Sequence, residues 1–133
     1  MVGIGIKRDL LKAVVEKRTK TEISIHDISI NLISVFEAQA KASKLNVPPQ
    51  IVSKGIRVIL RTFHIVPFYR DDILSYAHEL RKVLIDYIDC IIIATAIIEK
   101  GDLITEDRDI LRLRDILKRE YGVDVHSYDD IIA

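Results

Sequence analysis

Four acidic side chains stand where buried or strand-terminal residues are expected: Glu37, Asp86, Asp89 and Asp107. Asp89 lies inside the apolar stretch of residues 88–92, and an unpaired carboxylate buried there needs a compensating partner. A hard divalent cation prefers oxygen ligands and would compensate several carboxylates at once. Such a cation can also activate a water molecule and stabilise the charge that develops on a cleaved phosphodiester. Glu37, Asp89 and Asp107 belong to three different predicted elements and are therefore the candidate metal-binding and catalytic residues.

Each of these acids also has a purely structural explanation, and for Glu37 that is a solvated residue on the surface of a helix. Asp86 could be the amino-terminal cap of the helix that follows it, and Asp107 could cap the next helix along the chain. Capping and metal binding are compatible, because a carboxylate has two oxygen atoms. Asp89 could form an ion pair with a buried arginine, such as Arg57 or Arg61. The residues alone leave both the metal-binding interpretation and the structural interpretation open.

Helices and strands that alternate along the chain must position these acids. Apolar spacing predicts helices at residues 8–17, 31–45, 51–63, from 71 or 72 to about 84, 85–100 and 107–122, with strands at 22–30, 103–105 and 123–126. This alternation predicts a three-layer α/β/α domain with a mostly parallel central sheet. Within the 31–45 helix, Leu32, Phe36 and Ala40 form the expected apolar face. Sites in such sheets gather at the carboxyl ends of the strands.

The composition narrows the class of protein. The 133 residues fit one domain, and an apolar content of 49% excludes a disordered chain. The longest apolar run, residues 90–98, is too short for a membrane span, and the single cysteine, Cys90, predicts a reduced cytoplasmic setting. Twenty basic and twenty acidic residues exclude a strongly basic nucleic-acid binder, so any nucleic-acid contact should use local patches or bound metal. Abundant Ile, Lys, Arg and Glu suit a thermophile.

Several segments together resemble a PIN domain. Residues 86–96 read as an Asp that opens an apolar Ala-Thr-Ala helix, and residues 101–109 then supply a Gly, an apolar strand and Thr-x-Asp. Residues 23–25 and 34–37 resemble the strand and Glu-containing helix of that family, and residues 77–81 resemble the helix that precedes the Asp helix. The resemblance extends from about residue 8 to the carboxyl terminus.

The resemblance implies a metal-dependent ribonuclease, a hydrolase that uses Mg²⁺ or Mn²⁺. It carries the metal-binding and catalytic roles over to Glu37, Asp89 and Asp107, with auxiliary roles for Asp86, Asp109 and Thr105. Members of this family are frequently the toxin of a toxin–antitoxin pair and often homodimers. The implied partners are therefore RNA, an antitoxin protein and a second copy of the chain, as a homodimer or higher oligomer, and no membrane.

The sequence departs from the family at its start. PIN domains open with an apolar strand that ends in Asp, whereas residues 1–6 are followed here by Lys7 and Arg8. Asp9 precedes what resembles the family's second helix, so it is not assigned to the missing position. The expectation is an N-terminally truncated PIN-like fold whose first carboxylate is absent, which should lower metal affinity and activity. A dimer that completes the sheet, or a refolded amino-terminal segment, would cover the unpaired edge.

The sequence therefore predicts a PIN-like protein that hydrolyses RNA phosphodiesters with water as the nucleophile. The alternative is a catalytically inactive PIN-like module that acts in binding or assembly. A third interpretation is an α/β domain whose acids serve only in capping and ion pairing. The basic residues of the last helix are expected to be a solvated face paired with Asp109, Asp115 and Glu120 rather than a phosphate site; they are Arg108, Arg112, Arg114, Lys118 and Arg119.

Overall fold

The computed structural model describes residues 19–20, 23–84 and 86–132. The predicted helix at residues 8–17 and the segment of residues 1–6 lie outside the described residues. Thr19 forms an isolated antiparallel bridge with Ile132, and the Lys20 N–H donates to the Ile131 carbonyl.

The first strand, β1, spans Ser29–Asn31 and leads directly into helix α1, Leu32–Lys44. The predicted strand at residues 22–30 is wrong over Ile25–Asp27, which forms a 3₁₀ turn. Ser24 causes this difference, because its side chain accepts the His26 N–H while the Asp27 carboxylate accepts the Ser24 N–H. Within the described part of the predicted strand, strand pairing is therefore confined to Ser29 and Ile30.

Helix α1 confirms the predicted helix, but its apolar face differs from the expected one. Phe36 is 59% exposed, whereas Ser34 and Val35 are buried. Val35 packs with Ile28 and Ile30 of the strand segment, so the helix turns this side inward. The expectation that Phe36 lies on the core face is wrong.

Helix α2 spans Pro49–Thr62 and confirms the helix predicted there, with a proline in its first turn. It leads into strand β2, His64–Val66, which was not predicted. Strands β1 and β2 are parallel, and Ser29 is in register with His64.

The main core forms where helix α3, Asp71–Leu80, packs against helix α4, Tyr87–Glu99. Helix α3 ends four residues before its predicted end, and Arg70 rather than Asp71 or Asp72 is its cap residue. Helix α4 is buried along most of its length and confirms the predicted central helix. It ends at Lys100, which adopts a left-handed conformation with φ 53°.

The carboxyl-terminal part of the chain adds a second pair of parallel strands. Their elements are β3 at Leu103–Ile104, α5 at Arg108–Arg112, α6 at Arg114–Tyr121, β4 at Val125–His126 and α7 at Tyr128–Ile131. The predicted single helix after Asp107 is interrupted at Leu113, where the α5 helix ends and α6 begins. Gly122 ends α6 with φ 70°, a left-handed conformation that favours glycine.

The described residues thus form an α/β structure with parallel strands, as predicted. Its strands make two separate two-stranded sheets, β1–β2 and β3–β4. Between them lies a groove of about 370 Å³, bordered by Asn31 of β1 and Ile104 of β3, with Thr95 of α4 also lining it. None of the described helices combines the length and apolar character needed to cross a membrane.

Candidate active site: an acidic cluster between two helices and a strand end

The position of Glu37 depends on how α1 is attached to the core. The Asn31 side chain caps α1 by accepting the Ile33 N–H at 2.8 Å, and its Nδ2 donates to Thr95 Oγ1 of α4 at 2.8 Å. Both side chains are buried. One asparagine therefore starts α1 and fixes it against α4, so Glu37 in the second turn of α1 has a defined place relative to that helix.

The Glu37 carboxylate is partly buried, and its hydrogen-bonding capacity is not fully used. Its Oε1 atom is shielded from solvent and has no hydrogen-bond partner within the described ranges. Burial raises the pKa of Glu37, and the nearby negative charges of Asp86 and Asp107 raise it further. A carboxylate in this setting would be stabilised by a positive charge.

Asp89 is the most perturbed acid of the cluster. It lies in the first turn of α4 and is partly buried. Burial, followed by the charges of Asp107, Asp86, Glu37 and Asp109, raises the pKa of Asp89 to about 7. A partly buried carboxyl with this pKa lies among like charges and can change its protonation state near neutral pH.

No arginine compensates Asp89 in the described structure. Arg57 donates to Ser53 Oγ at 2.9 Å, and neither Arg57 nor Arg61 forms an ion pair with Asp89 there. The interpretation of Asp89 as one half of a buried ion pair with these arginines is therefore wrong for this part of the chain.

Asp86 and Asp107 are both helix caps, as the alternative interpretation predicted. Asp86 Oδ1 accepts the N–H groups of Ile88 and Asp89 at 2.9 and 3.2 Å. Asp107 Oδ1 likewise accepts the Asp109 and Ile110 N–H groups at 2.9 and 3.1 Å. In each cap a single carboxylate oxygen accepts both N–H groups, so capping leaves the other oxygen available for a further ligand.

Thr105 and Asp109 flank Asp107 in different ways. Thr105 is 1% exposed, and its Oγ1 accepts the Asp107 N–H at 3.0 Å, which orients the start of α5. Asp109 is exposed and accepts Arg112 Nη1 at 3.3 Å. Thr105 is therefore a positioning residue for Asp107, whereas Asp109 contributes charge at the edge of the cluster.

The charges of Asp86 and Asp107 raise the pKa of both Glu37 and Asp89, so these four carboxylates belong to one negatively charged region. Carboxylate oxygens are the donors that Mg²⁺ and Mn²⁺ prefer, and the unpartnered Glu37 Oε1 suits a cation. As they stand, however, no three acidic, histidine or cysteine side chains of the described residues are grouped closely enough to hold one metal ion. The donor chemistry fits a divalent cation, and the separation of the donors would have to decrease on binding.

Three buried polar residues near the cluster were not singled out from the sequence: Asn31, Ser34 and Thr95. Ser34 Oγ lines the groove beside β1 and has no hydrogen-bond partner among the residues described. Asn31 stands between a strand and a helix, which is a cap pattern, and Thr95 is the one threonine of a helix that is otherwise almost wholly apolar. These signals were present in the sequence, but they give no indication of the contact between Asn31 and Thr95.

The basic residues of the carboxyl-terminal helices are largely paired, as predicted. Arg112 contacts Asp109 and Arg119 contacts Glu120, at 3.3 and 3.8 Å. Two partners differ from the expected ones, since Arg114 contacts Asp130 at 3.3 Å and Lys118 contacts Asp124 at 3.0 Å. These side chains form a solvated, charge-balanced face.

Comparison with known proteins identifies the family to which the chain belongs. The PIN domain profile matches residues 7–116, which includes Glu37, Asp89 and Asp107. No curated protein and no solved structure matches the chain. PIN domains are generally metal-dependent nucleases and commonly bind RNA. With a match over most of its length, the chain belongs to the PIN domain family.

Proposed function

We propose that this protein hydrolyses RNA phosphodiester bonds and uses Mg²⁺ or Mn²⁺ bound by Glu37, Asp89 and Asp107. The observation that supports this most directly is Asp89, a partly buried carboxyl with a pKa of about 7 that is surrounded by four other acids. Accumulated negative charge of this kind opposes folding unless a proton or a cation neutralises it, and perturbed acids cluster at functional sites.

Each acid has a distinct part in the proposed reaction. Glu37 and Asp89 present partly buried oxygens from two helices, and Asp107 adds the carboxylate oxygen that its helix cap does not use. A divalent cation held by these acids would supply positive charge to them and to the phosphate. Water attacks the phosphorus and loses a proton to solvent, while the bond to the leaving ribose oxygen breaks and that oxygen takes up a proton from solvent. Asp86 and Thr105 position Asp89 and Asp107 through backbone hydrogen bonds.

A second candidate function is a PIN module that binds or assembles without cleaving RNA. The observation that favours it is the absence, among the described residues, of three donors grouped for one metal ion. In that case Glu37, Asp89 and Asp107 would remain as an acidic surface without hydrolytic activity.

A cleavage assay separates the two functions. A labelled RNA is incubated with the protein and Mn²⁺, and the same assay is run with Asp89→Asn and Asp107→Asn. Asp115→Asn, an exposed change on α6, is the matched control. The nuclease proposal expects cleavage by the wild type and the control, with loss in both site variants. RNA that stays intact at high protein and Mn²⁺ concentrations would instead support the non-catalytic module.

The biological setting follows from the same family. We propose a toxin whose ribonuclease activity is held in check by an antitoxin protein, and which acts in the cytoplasm as a homodimer or higher oligomer. The high content of Ile, Lys, Arg and Glu supports a thermophilic source. Induced expression should arrest growth of a bacterial host, while Asp89→Asn should not. Light scattering in solution tests the oligomer, and a monomeric mass would contradict it.

A further inference from the structure

The charges of this neutral chain are unevenly distributed. Between Glu37 and Asp71 the sequence contains no acidic residue, yet it contains six lysine and arginine residues. They are Lys41, Lys44, Lys54, Arg57, Arg61 and Arg70. Most of this segment forms the α1–α2 hairpin, so one part of the structure is basic although the whole chain carries no net charge.

Two of these cations share a helix face with the acidic cluster. Lys41 and Lys44 follow Glu37 by four and seven residues in α1, a spacing that places all three on one side of the helix. At the rise of an α-helix, the two lysines lie roughly 6 Å and 10 Å beyond Glu37 along the axis. Both lysines are exposed. A stripe of positive charge therefore begins where the acidic cluster ends.

Within the part of the chain that the structure describes, these lysines have no acidic partner. Neither Lys41 nor Lys44 forms an ion pair with any residue that the structure describes. Four cations of the carboxyl-terminal helices, in contrast, are matched with nearby carboxylates. Exposed ammonium groups without a partner can neutralise an external polyanion without first giving up an internal contact.

The proposed reaction needs such a feature. A cluster of carboxylates repels a polyanionic backbone, and a chain without net charge has no overall field to offset that repulsion. Cations that extend from the acids in one direction would hold the phosphates on that side of the one that reacts. Asn31 fixes α1 against α4, so the lysines and the acidic cluster have a defined relative position.

We propose that Lys41 and Lys44 form a contact stripe for the phosphates of single-stranded RNA, which places the backbone across the acidic cluster at Glu37. This inference rests on the proposed function, because it assumes that RNA is the substrate. It assigns to α1 two roles: one acid of the site, and the cations that position the substrate.

The test measures RNA binding without cleavage. Fluorescence anisotropy of a labelled oligouridine is recorded in EDTA over a series of salt concentrations, for the full chain and for Lys41→Ala with Lys44→Ala. Two lost phosphate contacts should reduce the slope of log K against log salt by about 1.4, with affinity about tenfold lower at low salt. Lys41→Arg with Lys44→Arg should restore both values.

A control removes two positive charges elsewhere. Lys82→Ala with Lys118→Ala changes two exposed lysines outside α1, of which Lys118 contacts Asp124, and should leave the salt slope unchanged. Equal losses in the two double variants would overturn the stripe and indicate a general charge effect. Wild-type affinity in the α1 variant would also overturn it. Displacement of RNA by polyglutamate at equal ionic strength and equal charge concentration would overturn RNA as the occupant and indicate an acidic protein.

The binding and cleavage results are independent. If Mn²⁺-dependent cleavage is lost in Asp89→Asn while the lysine variant binds RNA normally, the nuclease proposal stands and the stripe fails. If RNA is never cleaved but binding depends on the two lysines, the stripe stands and hydrolysis fails. Circular dichroism and thermal unfolding of each variant establish that it is folded.

Discussion

Asn31 Nδ2 donates a hydrogen bond of 2.8 Å to Thr95 Oγ1, and this buried contact joins the start of α1 to the middle of α4. The two residues are 64 positions apart in the sequence. Thr95 in turn donates to the Ile91 carbonyl at 2.7 Å, so its hydroxyl uses both of its hydrogen-bonding roles. The helix that carries Glu37 and the helix that carries Asp89 are held together by this pair.

Replacing the threonine should destabilise the protein. Thr95→Val keeps the shape of the side chain but leaves the buried Asn31 amide without its acceptor, which costs about 1–3 kcal/mol. Urea unfolding measures the loss. Thr95→Ser is the matched control, because it retains the hydroxyl, and it should be less destabilised than Thr95→Val. Equal stability of Thr95→Val and wild type would show that the contact contributes nothing.

The pKa of Asp89 predicts how stability changes with pH. Because the folded-state pKa of about 7 lies above the ordinary value of 3.8, the folded protein binds this proton more tightly than the unfolded chain does. The contribution of Asp89 to stability is therefore fully present below about pH 4 and is lost as the pH rises through 7. The free energy of unfolding of Asp89→Asn should exceed that of the wild type at pH 8 by on the order of 1 kcal/mol, after allowance for solvent screening. At pH 5 the difference should be much smaller.

Urea unfolding at both pH values, without metal, tests this prediction. Asp115→Asn is the control for removing a carboxylate at an exposed position and should not show the same pH dependence. If the difference in free energy of unfolding between Asp89→Asn and the wild type does not grow as the pH rises, the proposed environment of Asp89 is contradicted.

Added Mn²⁺ should offset the destabilising effect of the negative charge on Asp89. If the acids bind the cation in the folded state only, Mn²⁺ at a hundred times its Kd stabilises the protein by about 2.7 kcal/mol. Protons compete with the cation for Asp89, so the rise in Tm should be larger at pH 8 than at pH 6. Differential scanning fluorimetry measures both shifts. The same rise in Asp89→Asn as in the wild type would place the metal elsewhere.

Thr105 should affect activity through Asp107. Thr105→Val removes the buried oxygen that accepts the Asp107 N–H, at a cost of about 1–3 kcal/mol in stability. The cap residue then loses an orienting contact, so kcat of RNA cleavage should fall while KM changes little. Thr105→Ser retains the acceptor and should keep most of kcat. Loss of kcat in both variants would show that the methyl group, rather than the hydrogen bond, matters.

Much of the fold follows from local patterns. Helix α4 is apolar on all sides and begins after an Asp, so its burial and its cap were both predictable. Strand β2 was missed because three residues are too few to show an alternation of apolar and polar side chains. The exposure of Phe36 was missed for a different reason: the partners that bury Val35 lie on the strand segment, and only the tertiary structure shows them.

The candidate site was predictable to a similar degree. The sequence indicated Glu37, Asp89 and Asp107 and the caps formed by Asp86 and Asp107. The raised pKa of Asp89 depends on the approach of other charges and on burial, which arise from elements far apart in the chain. The Asn31–Thr95 contact has the same origin.

The groove between the two strand pairs is separate from the acidic cluster. Its lining includes Asn31 and Thr95, the buried pair that joins α1 to α4, but none of Glu37, Asp89 and Asp107. A small molecule that enters the groove would therefore meet the contact that holds the two acid-bearing helices together, without touching the acids themselves. If its binding strengthened or weakened that contact, the molecule and a metal ion at the acids would change each other's affinity by an equal factor.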